Sequence, residues 1–172
     1  MDGAKDFQMT SFLPGPGSER LLRDALGLFG TGVTVVTAQG PDGPVAITAN
    51  SFSSVSLSPA LVLWSVDLNS DRCPIFREAK FTAIHVMSHD QANLALRFAK
   101  NGNDFDAVDW TRSDTGVPLL NGCLSRFECE TFADHPGGDH RILVSQVLRV
   151  TRSDMDPLLF AKGRFGRFVK ND

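Results

Sequence analysis

The sequence predicts a mainly β domain, an antiparallel barrel or sandwich with a few peripheral helices. Three observations support this fold class. Apolar and β-branched runs follow one another in series, glycine-containing turns separate several of them, and helical patterns occur only as occasional interruptions. A doubly wound parallel sheet would need a helix after nearly every strand, so it is not expected.

Length and composition indicate one ordinary globular domain. The chain has 172 residues, of which 42% are hydrophobic and 22% are charged. This length is sufficient to bury a single core of useful size. We divide the chain into a flexible N-terminal arm, residues 1–17, which contains Pro14-Gly15-Pro16-Gly17, and one domain, residues 18–172.

Charge and cysteine usage exclude several classes of partner. The formal net charge is -3 and no long basic run occurs, so nucleic acid is not an expected partner. No apolar run approaches the roughly 20 residues that span a bilayer, and the N-terminus has no signal-peptide pattern. Three cysteines without a CxxC pair favour free thiols. We therefore expect a cytoplasmic protein without a membrane partner.

The first half of the domain is predicted to contain one helix followed by several strands. Ser18 can cap an amphipathic helix that ends near Gly30. The β-branched run 32–39, the turn 40–43 and the run 44–49 predict a β-hairpin. A buried strand is expected over 60–67.

The centre of the chain predicts two helices around another strand. A short helix is expected within 71–80, a strand over 81–87, and a helix from His89 to about Lys100 that Ser88 caps. The segment 101–121 is polar and predicts a long loop, a kind of segment that often carries function.

The last third returns to strands. Two strands, 124–133 and 142–153, are expected on either side of a tight glycine-rich connection, 134–140. Two further short strands are expected over 157–161 and 164–169.

The stretch from Ile47 to Pro59 combines many small hydroxyl side chains with a large apolar residue at every second or third position. This pattern fits a chain that runs along a core and turns its hydroxyls and backbone amides toward a ligand. A serine-rich turn region fits the composition equally well.

Three other motifs are candidates for a dinucleotide-binding loop, a metal site and a histidine directed into a cleft. Gly30-Thr31-Gly32 leads into a strand and lacks the third glycine of a dinucleotide-binding loop, because position 35 is Val35. His85 and His89 do not share a helical face, so no metal site is expected. His140 follows Gly137-Gly138-Asp139. A turn at this point can direct the imidazole into a cleft, or the imidazole can simply cap the turn.

Five motifs, taken together in order, resemble one family. They are GVTVVT at 32–37, TANSFSSVSLSP at 48–59, FTAIHVMSHDQANLALRFA at 81–99, GDH at 138–140 and GRFGRF at 163–168. The chain resembles the short-chain NAD(P)H:flavin oxidoreductases, the flavin reductase components of two-component monooxygenases. The resemblance covers about residues 21–168.

This resemblance implies an FMN-binding split barrel and a homodimer with flavin sites near the subunit interface. It implies cofactor contacts from the following residues: Thr48, Ala49, Asn50, Ser51, Ser53, Ser54, Val55, Ser56, Phe81, Ala83, His85, Val86, Gln91, Phe98, Asp139, His140 and Phe165. Residues 48–51 would meet the isoalloxazine edge, Ser53, Ser54 and Ser56 would lie toward the ribityl phosphate, and strand 81–87 would wall the ring.

The activity that the resemblance implies is hydride transfer from NADH or NADPH to N5 of FMN or FAD. His140 is the implied catalytic residue, placed beside nicotinamide and flavin, and reduced flavin would pass to a transient monooxygenase partner. The chain departs from the family at His85, which would add a polar group to the ring wall, and at Phe160 and Phe165, where tyrosines are usual. The alternatives are a non-catalytic flavin-binding module, a carrier or sensor, and an enzyme similar to pyridoxamine-phosphate oxidase.

Overall fold

The computed structural model describes residues 9–170. Its three helices are α1 Glu19–Leu26, α2 Cys73–Glu78 and α3 Ala92–Lys100. Its strands are β1 Thr31–Gly32, β2 Thr34–Gly40, β3 Gly43–Ala49, β4 Ser53–Leu57, β5 Ala60–Asp67, β6 Phe81–Val86, β7 Trp110–Arg112, β8 Pro118–Leu120, β9 Ser125–Gly137, β10 His140–Arg152, β11 Leu158–Ala161 and β12 Arg164–Arg167. Within these residues, no helix is both long enough and apolar enough to cross a membrane.

Seven strands form the main sheet, in the order β3-β2-β6-β9-β10-β5-β4, and every neighbouring pair is antiparallel. Smaller antiparallel sheets join β1, β11 and β12, and β7 with β8. The prediction of a mainly β, antiparallel fold with a few helices is confirmed.

The main sheet is strongly curled. Its edge strands are β3 and β4, and in a flat sheet six strand spacings would separate them by roughly 29 Å. Only residues 50–52 connect them, and this link spans at most about 14 Å. The two edges therefore approach each other where β3 ends and β4 begins.

Core packing agrees with this curl. Val36 on β2 and Trp64 on β5 belong to one buried cluster, although three strands lie between β2 and β5 in the sheet. Phe76 of α2 packs edge-on against Trp64, with ring centroids 5.2 Å apart. A second cluster, which includes Val35 and Phe98, lies between the other face of the sheet and α3.

Several predicted elements are confirmed. The hairpin β2–β3 and strands β5 and β6 lie where the apolar patterns place them. Ser88 begins the third helical segment with a capping box that Gln91 completes, although the first turn is a 3-10 turn and α3 starts only at Ala92.

Other predictions need correction. The segment 101–121 is not a plain loop, because it contains the short hairpin β7–β8. β9 and β10 have thirteen residues each and extend through the supposed connection 134–140, so that only Gly138 and Asp139 form the turn. Pro136 lies within β9 and obscures the strand pattern there.

At the N-terminal end, the prediction that Ser18 caps α1 needs correction. Residues 1–8 of the proposed arm lie outside the described residues, and 9–17 are exposed. Ser18 makes no side-chain cap; its hydroxyl bonds to Gly15 instead. α1 buries none of its side chains among the described residues.

Candidate functional site

A cleft opens at the end of β3. We call it the β3 cleft; its volume is about 240 Å³. The residues that matter for its shape are Thr48, Ala49, Asn50, Ala95, Ala99, Phe160 and Phe165. Ala95 and Ala99 of α3 line the cleft together with the rings of Phe160 and Phe165, whose centroids are 5.6 Å apart. Small apolar and aromatic side chains beside a strand end suit a planar aromatic ligand.

Two of the hydroxyls predicted to face the flavin are occupied by the protein backbone. Thr48 Oγ1 donates to the Ala95 carbonyl at 2.6 Å. Ser51 Oγ accepts from Ser65 N–H at 2.9 Å and is 3.1 Å from the Ser65 carbonyl, to which it donates. These contacts tie the end of β3 to α3 and to β5. The Thr48 and Ser51 hydroxyls therefore have no hydrogen left to donate to a ligand, whereas each oxygen can still accept a hydrogen bond, and their contact with flavin stays a prediction.

The serines on β4 lie at the open edge of the main sheet. Ser53 and Ser54 are exposed, and the Ser54 hydroxyl makes no hydrogen bond with any residue in 9–170. The pairing of β4 with β5 shifts at Val55, which is half-exposed, and Ser56 Oγ accepts from Ser58 N–H. This edge thus presents a free hydroxyl and unpaired backbone groups.

His140 begins β10 directly after the turn. Its Nδ1 lies 2.6 Å from Asp139 Oδ1, and the Asp139 carbonyl accepts from Leu68 N–H. This hydrogen bond from His140, together with the imidazole's charge, holds the pKa of Asp139 below its usual range. In the neutral imidazole, donation from Nδ1 to the carboxylate leaves Nε2 as the ring nitrogen that can accept a hydrogen bond.

Strand β5 connects the β3 cleft with His140. Ser51 bonds to Ser65, and His140 pairs with Asp67 two residues further along the same strand. Two residues of strand correspond to about 7 Å. Ser51 and His140 therefore both contact the C-terminal half of β5.

Three predicted cofactor contacts lie in the core instead. Ala83, His85 and Phe98 are each 0% exposed, and none of them is among the residues that line the β3 cleft. His85 Nδ1 lies 3.0 Å from the Val35 carbonyl, and its Nε2 accepts from Leu120 N–H at 3.0 Å. Burial lowers the pKa of His85 to about 3, so it remains neutral. The prediction that His85 adds a polar group to the flavin wall is wrong.

The remaining predicted residues are spread along β6 and the start of α3. Phe81, at the far end of β6 from Val86, lies under the Lys80 ammonium, which is 5.1 Å from its ring. Gln91 uses both ends of its amide, accepting from Ser88 N–H and donating to the Asn121 carbonyl. Val86 is half-buried and pairs with Thr34. None of the three lines the β3 cleft.

Sequence reasoning predicted Phe98 on α3 but missed two alanines of this helix. Ala95 and Ala99 line the β3 cleft at i and i+4 spacing. This spacing is visible in the sequence, but alanines four residues apart are common in helices, so the spacing alone does not indicate a ligand site.

No nucleophile or metal cluster competes with this site in the part of the chain that the structure describes. Burial raises the pKa of Cys129 to about 12 and also raises the pKa values of Cys73 and Cys123, so all three thiols remain protonated. Residues 9–170 contain no group of three or more His, Cys, Asp or Glu side chains placed to hold a metal ion.

Comparison with known proteins identifies the class. The family described as "Flavin reductase like domain" matches residues 26–168. The FMN reductase (NADH) SmoA of Agrobacterium fabrum is 55% identical over 159 residues, which are 92% of this chain and 91% of that protein. The reductase component of the flavin-dependent trigonelline monooxygenase of Acinetobacter baylyi is 39% identical over 148 residues, which are 85% of this chain and 48% of that protein.

Solved structures agree. The NADH:FAD oxidoreductase SgcE6 of Streptomyces globisporus C-1027 has a TM-score of 0.88 at 37% identity, covering 96% of each chain. A second structure of SgcE6, in complex with NAD and FAD fragments, has a TM-score of 0.86 at 39% identity and covers 92% of this chain and 98% of that chain. The chain belongs to the flavin reductase like domain family, which confirms the resemblance of its motifs.

Proposed function

We propose that this chain is a flavin reductase that oxidises NADH and reduces free FMN or FAD. The observation that carries the proposal is the β3 cleft, joined through Ser51 and β5 to the half-exposed His140. The names of the relatives support NADH as the donor, and they include both an FMN reductase and an FAD reductase. A non-catalytic flavin-binding module is not favoured, because the similar proteins are named as reductases.

The residues of the β3 cleft fit a flavin ring. Ala95 and Ala99 leave room for a planar system, and the backbone of Ala49 and Asn50 lies at its edge. When bound, flavin accepts a hydride at N5 from C4 of the nicotinamide, and negative charge develops near N1 and the C2 oxygen. Backbone N–H groups at the end of β3 stabilise that charge, since they are held in place by the bonds of Thr48 and Ser51.

His140 orients the nicotinamide in this proposal. Its Nε2 accepts a hydrogen bond from a substrate N–H such as the carboxamide, while Asp139 fixes the ring through Nδ1. The imidazole needs to transfer no proton for the hydride to move, so its effect falls on donor binding.

Ser54 binds the phosphate of the ribityl chain in this proposal. Its hydroxyl has no partner among residues 9–170, and it lies four residues beyond Asn50 of the β3 cleft. A hydroxyl and edge N–H groups hold the anion without a fixed charge, and this allows the reduced flavin to leave.

The fold is an FMN-binding split barrel in this proposal. The approach of β3 and β4 without a hydrogen-bonded ladder between them supports it, because a barrel that is split along one side has this feature.

A second copy of the chain covers the exposed apolar side chains Leu26 and Phe29, at the end of α1 and just after it, in this proposal, giving a homodimer. The apolar stripe of α1 and the residues after it is exposed, with Leu26 at 67% and Phe29 at 77%. Large apolar side chains at helical spacing are expected to be covered. Light scattering or sedimentation at micromolar concentration tests this, and a monomer would contradict it.

The reduced flavin serves a separate monooxygenase in this proposal. Relatives named as reductase components of monooxygenases support it. The expected location is the cytoplasm, in agreement with the three free cysteines.

Steady-state NADH and NADPH oxidation, measured with added FMN, FAD or no flavin, tests the proposed activity. We expect oxidation of NADH that depends on added flavin, and slower oxidation of NADPH. Bound flavin with no oxidation of either nucleotide would instead indicate the binding module.

A further inference from the structure

A second opening, larger than the β3 cleft, has no role in the proposed reaction. It lies between α1 and the β11–β12 hairpin and has a volume of about 540 Å³. We call it the basic groove, and the residues that matter are Arg23, Asp24, Gly27, Phe160 and Lys162.

The basic groove adjoins the β3 cleft at Phe160. Phe160 lines both openings, and Lys162 follows it by two residues in the hairpin, which corresponds to about 7 Å. A ligand whose ring lies in the β3 cleft can therefore extend past Phe160 to Lys162. A continuation of this length suits the diphosphate part of a dinucleotide.

The charge of the hairpin differs from that of the whole chain. The formal net charge of the protein is -3, yet residues 158–170 contain four cations, Lys162, Arg164, Arg167 and Lys170, and no acid. None of these four, nor Arg23, forms an ion pair within residues 9–170. Asp24 is the one acid among the lining residues named above. Of these cations, Lys162 and Arg23 line the basic groove, and a concave surface with unpaired cations attracts an anion.

Lys162 adopts a conformation that lysine rarely has. Its φ is 52° and that of Gly163 is 72°, and these two residues form the turn between the paired Ala161 and Arg164. Such two-residue hairpin turns favour Asn-Gly over any β-carbon-bearing cation. The Lys162 N–H donates to the Gly27 carbonyl at 2.7 Å, so the backbone holds the hairpin tip against the end of α1. A strained residue held at an opening points to a use for its side chain.

We infer that the basic groove binds the adenosine diphosphate moiety that NADH and FAD share, with Lys162 and Arg23 contacting its phosphates. This inference rests on the proposed function, since it extends the flavin reductase site. Phe160 provides an aromatic wall beside the diphosphate.

The first experiment titrates ADP alone into the flavin-free full-length protein by calorimetry at low salt. The variant Lys162→Asn removes the charge and places a favourable residue in the turn, so it should fold at least as stably as the parent. We expect ADP binding to weaken about tenfold in this variant, the loss of one charge-assisted contact. Lys80→Asn, which removes an exposed cation on another strand end, should leave ADP binding unchanged.

Two further arms distinguish the source of the moiety. If it belongs to NADH, Lys162→Asn raises the KM for NADH but not for reduced nicotinamide mononucleotide, with FMN as acceptor. If it belongs to FAD, the variant weakens FAD but not FMN. ADP that fails to bind, that binds Lys162→Asn as tightly as the parent, or that binds while neither dinucleotide is affected overturns the inference.

A change of oligomeric mass in Lys162→Asn would mean that a second copy covers the groove, and it also overturns the inference. The ADP titration needs no turnover. Loss of flavin reduction with intact ADP binding would therefore contradict the proposed activity and leave the groove as a binding site.

Discussion

Replacing Ser51 with alanine removes the hydroxyl that ties the end of β3 to the middle of β5. Ser51 Oγ accepts from the Ser65 N–H and donates to the Ser65 carbonyl, at 2.9 and 3.1 Å. Alanine leaves both Ser65 groups without this partner in a half-buried position. At about 1 kcal/mol for each bond, the expected destabilisation is about 2 kcal/mol.

For a chain of this length, that change corresponds to a fall in melting temperature of about 4–8 °C. Calorimetry and urea unfolding of parent and variant, at equal protein concentration, measure it. Because Ser51 also fixes the spacing between the β3 cleft and His140, we expect higher KM values for both flavin and NADH.

Ser53→Ala is the matched control. Its hydroxyl makes one long bond, 3.3 Å to the Ser54 carbonyl, on an exposed strand, so stability should change by less than about 0.5 kcal/mol. A melting temperature of Ser51→Ala within 1 °C of the parent would refute the reasoning that this hydroxyl joins the two strands.

Three other variants or conditions test separate parts of the site. The folded pKa of His85, about 3, lies below its ordinary 6.5, so the unfolded chain binds a proton first as pH falls. The free energy of unfolding should then drop by about 2 kcal/mol from pH 7 to pH 5, measured with urea; an equal drop in His85→Gln would contradict it. Ser54→Ala should weaken FMN by about 1–2 kcal/mol and leave riboflavin, which lacks the phosphate, unaffected in fluorescence titrations; equal effects on both would exclude a phosphate contact. His140→Ala should raise the KM for NADH about five- to tenfold with a smaller fall in kcat, and an unchanged KM with abolished turnover would exclude the positioning role.

The apolar periodicity of the sequence was sufficient for most of the main sheet. The runs predicted as strands over 32–39, 44–49 and 60–67 correspond to β2, β3 and β5, with bounds that differ by two residues at most. The extension of β9 could not be read in the same way, because Pro136 and the exposed His135 interrupt the pattern where tertiary pairing with β10 maintains the strand.

The site was predicted at the level of segments and not of atoms. Motif resemblance located residues 48–50 and Phe165, which line the β3 cleft. It could not show that His85 is buried, because its partners Val35 and Leu120 are 50 and 35 residues away in the chain. The direction of a side chain on a curled sheet depends on such distant contacts.

The dependence of NADH oxidation on flavin concentration tests the central claim most directly. Free flavin should act as a substrate, so the rate should continue to rise when FMN or FAD greatly exceeds the protein, and many flavins should be reduced per protein molecule. Saturation at one flavin per protein molecule, with no further gain from added flavin, would contradict the account and indicate a protein that retains its flavin.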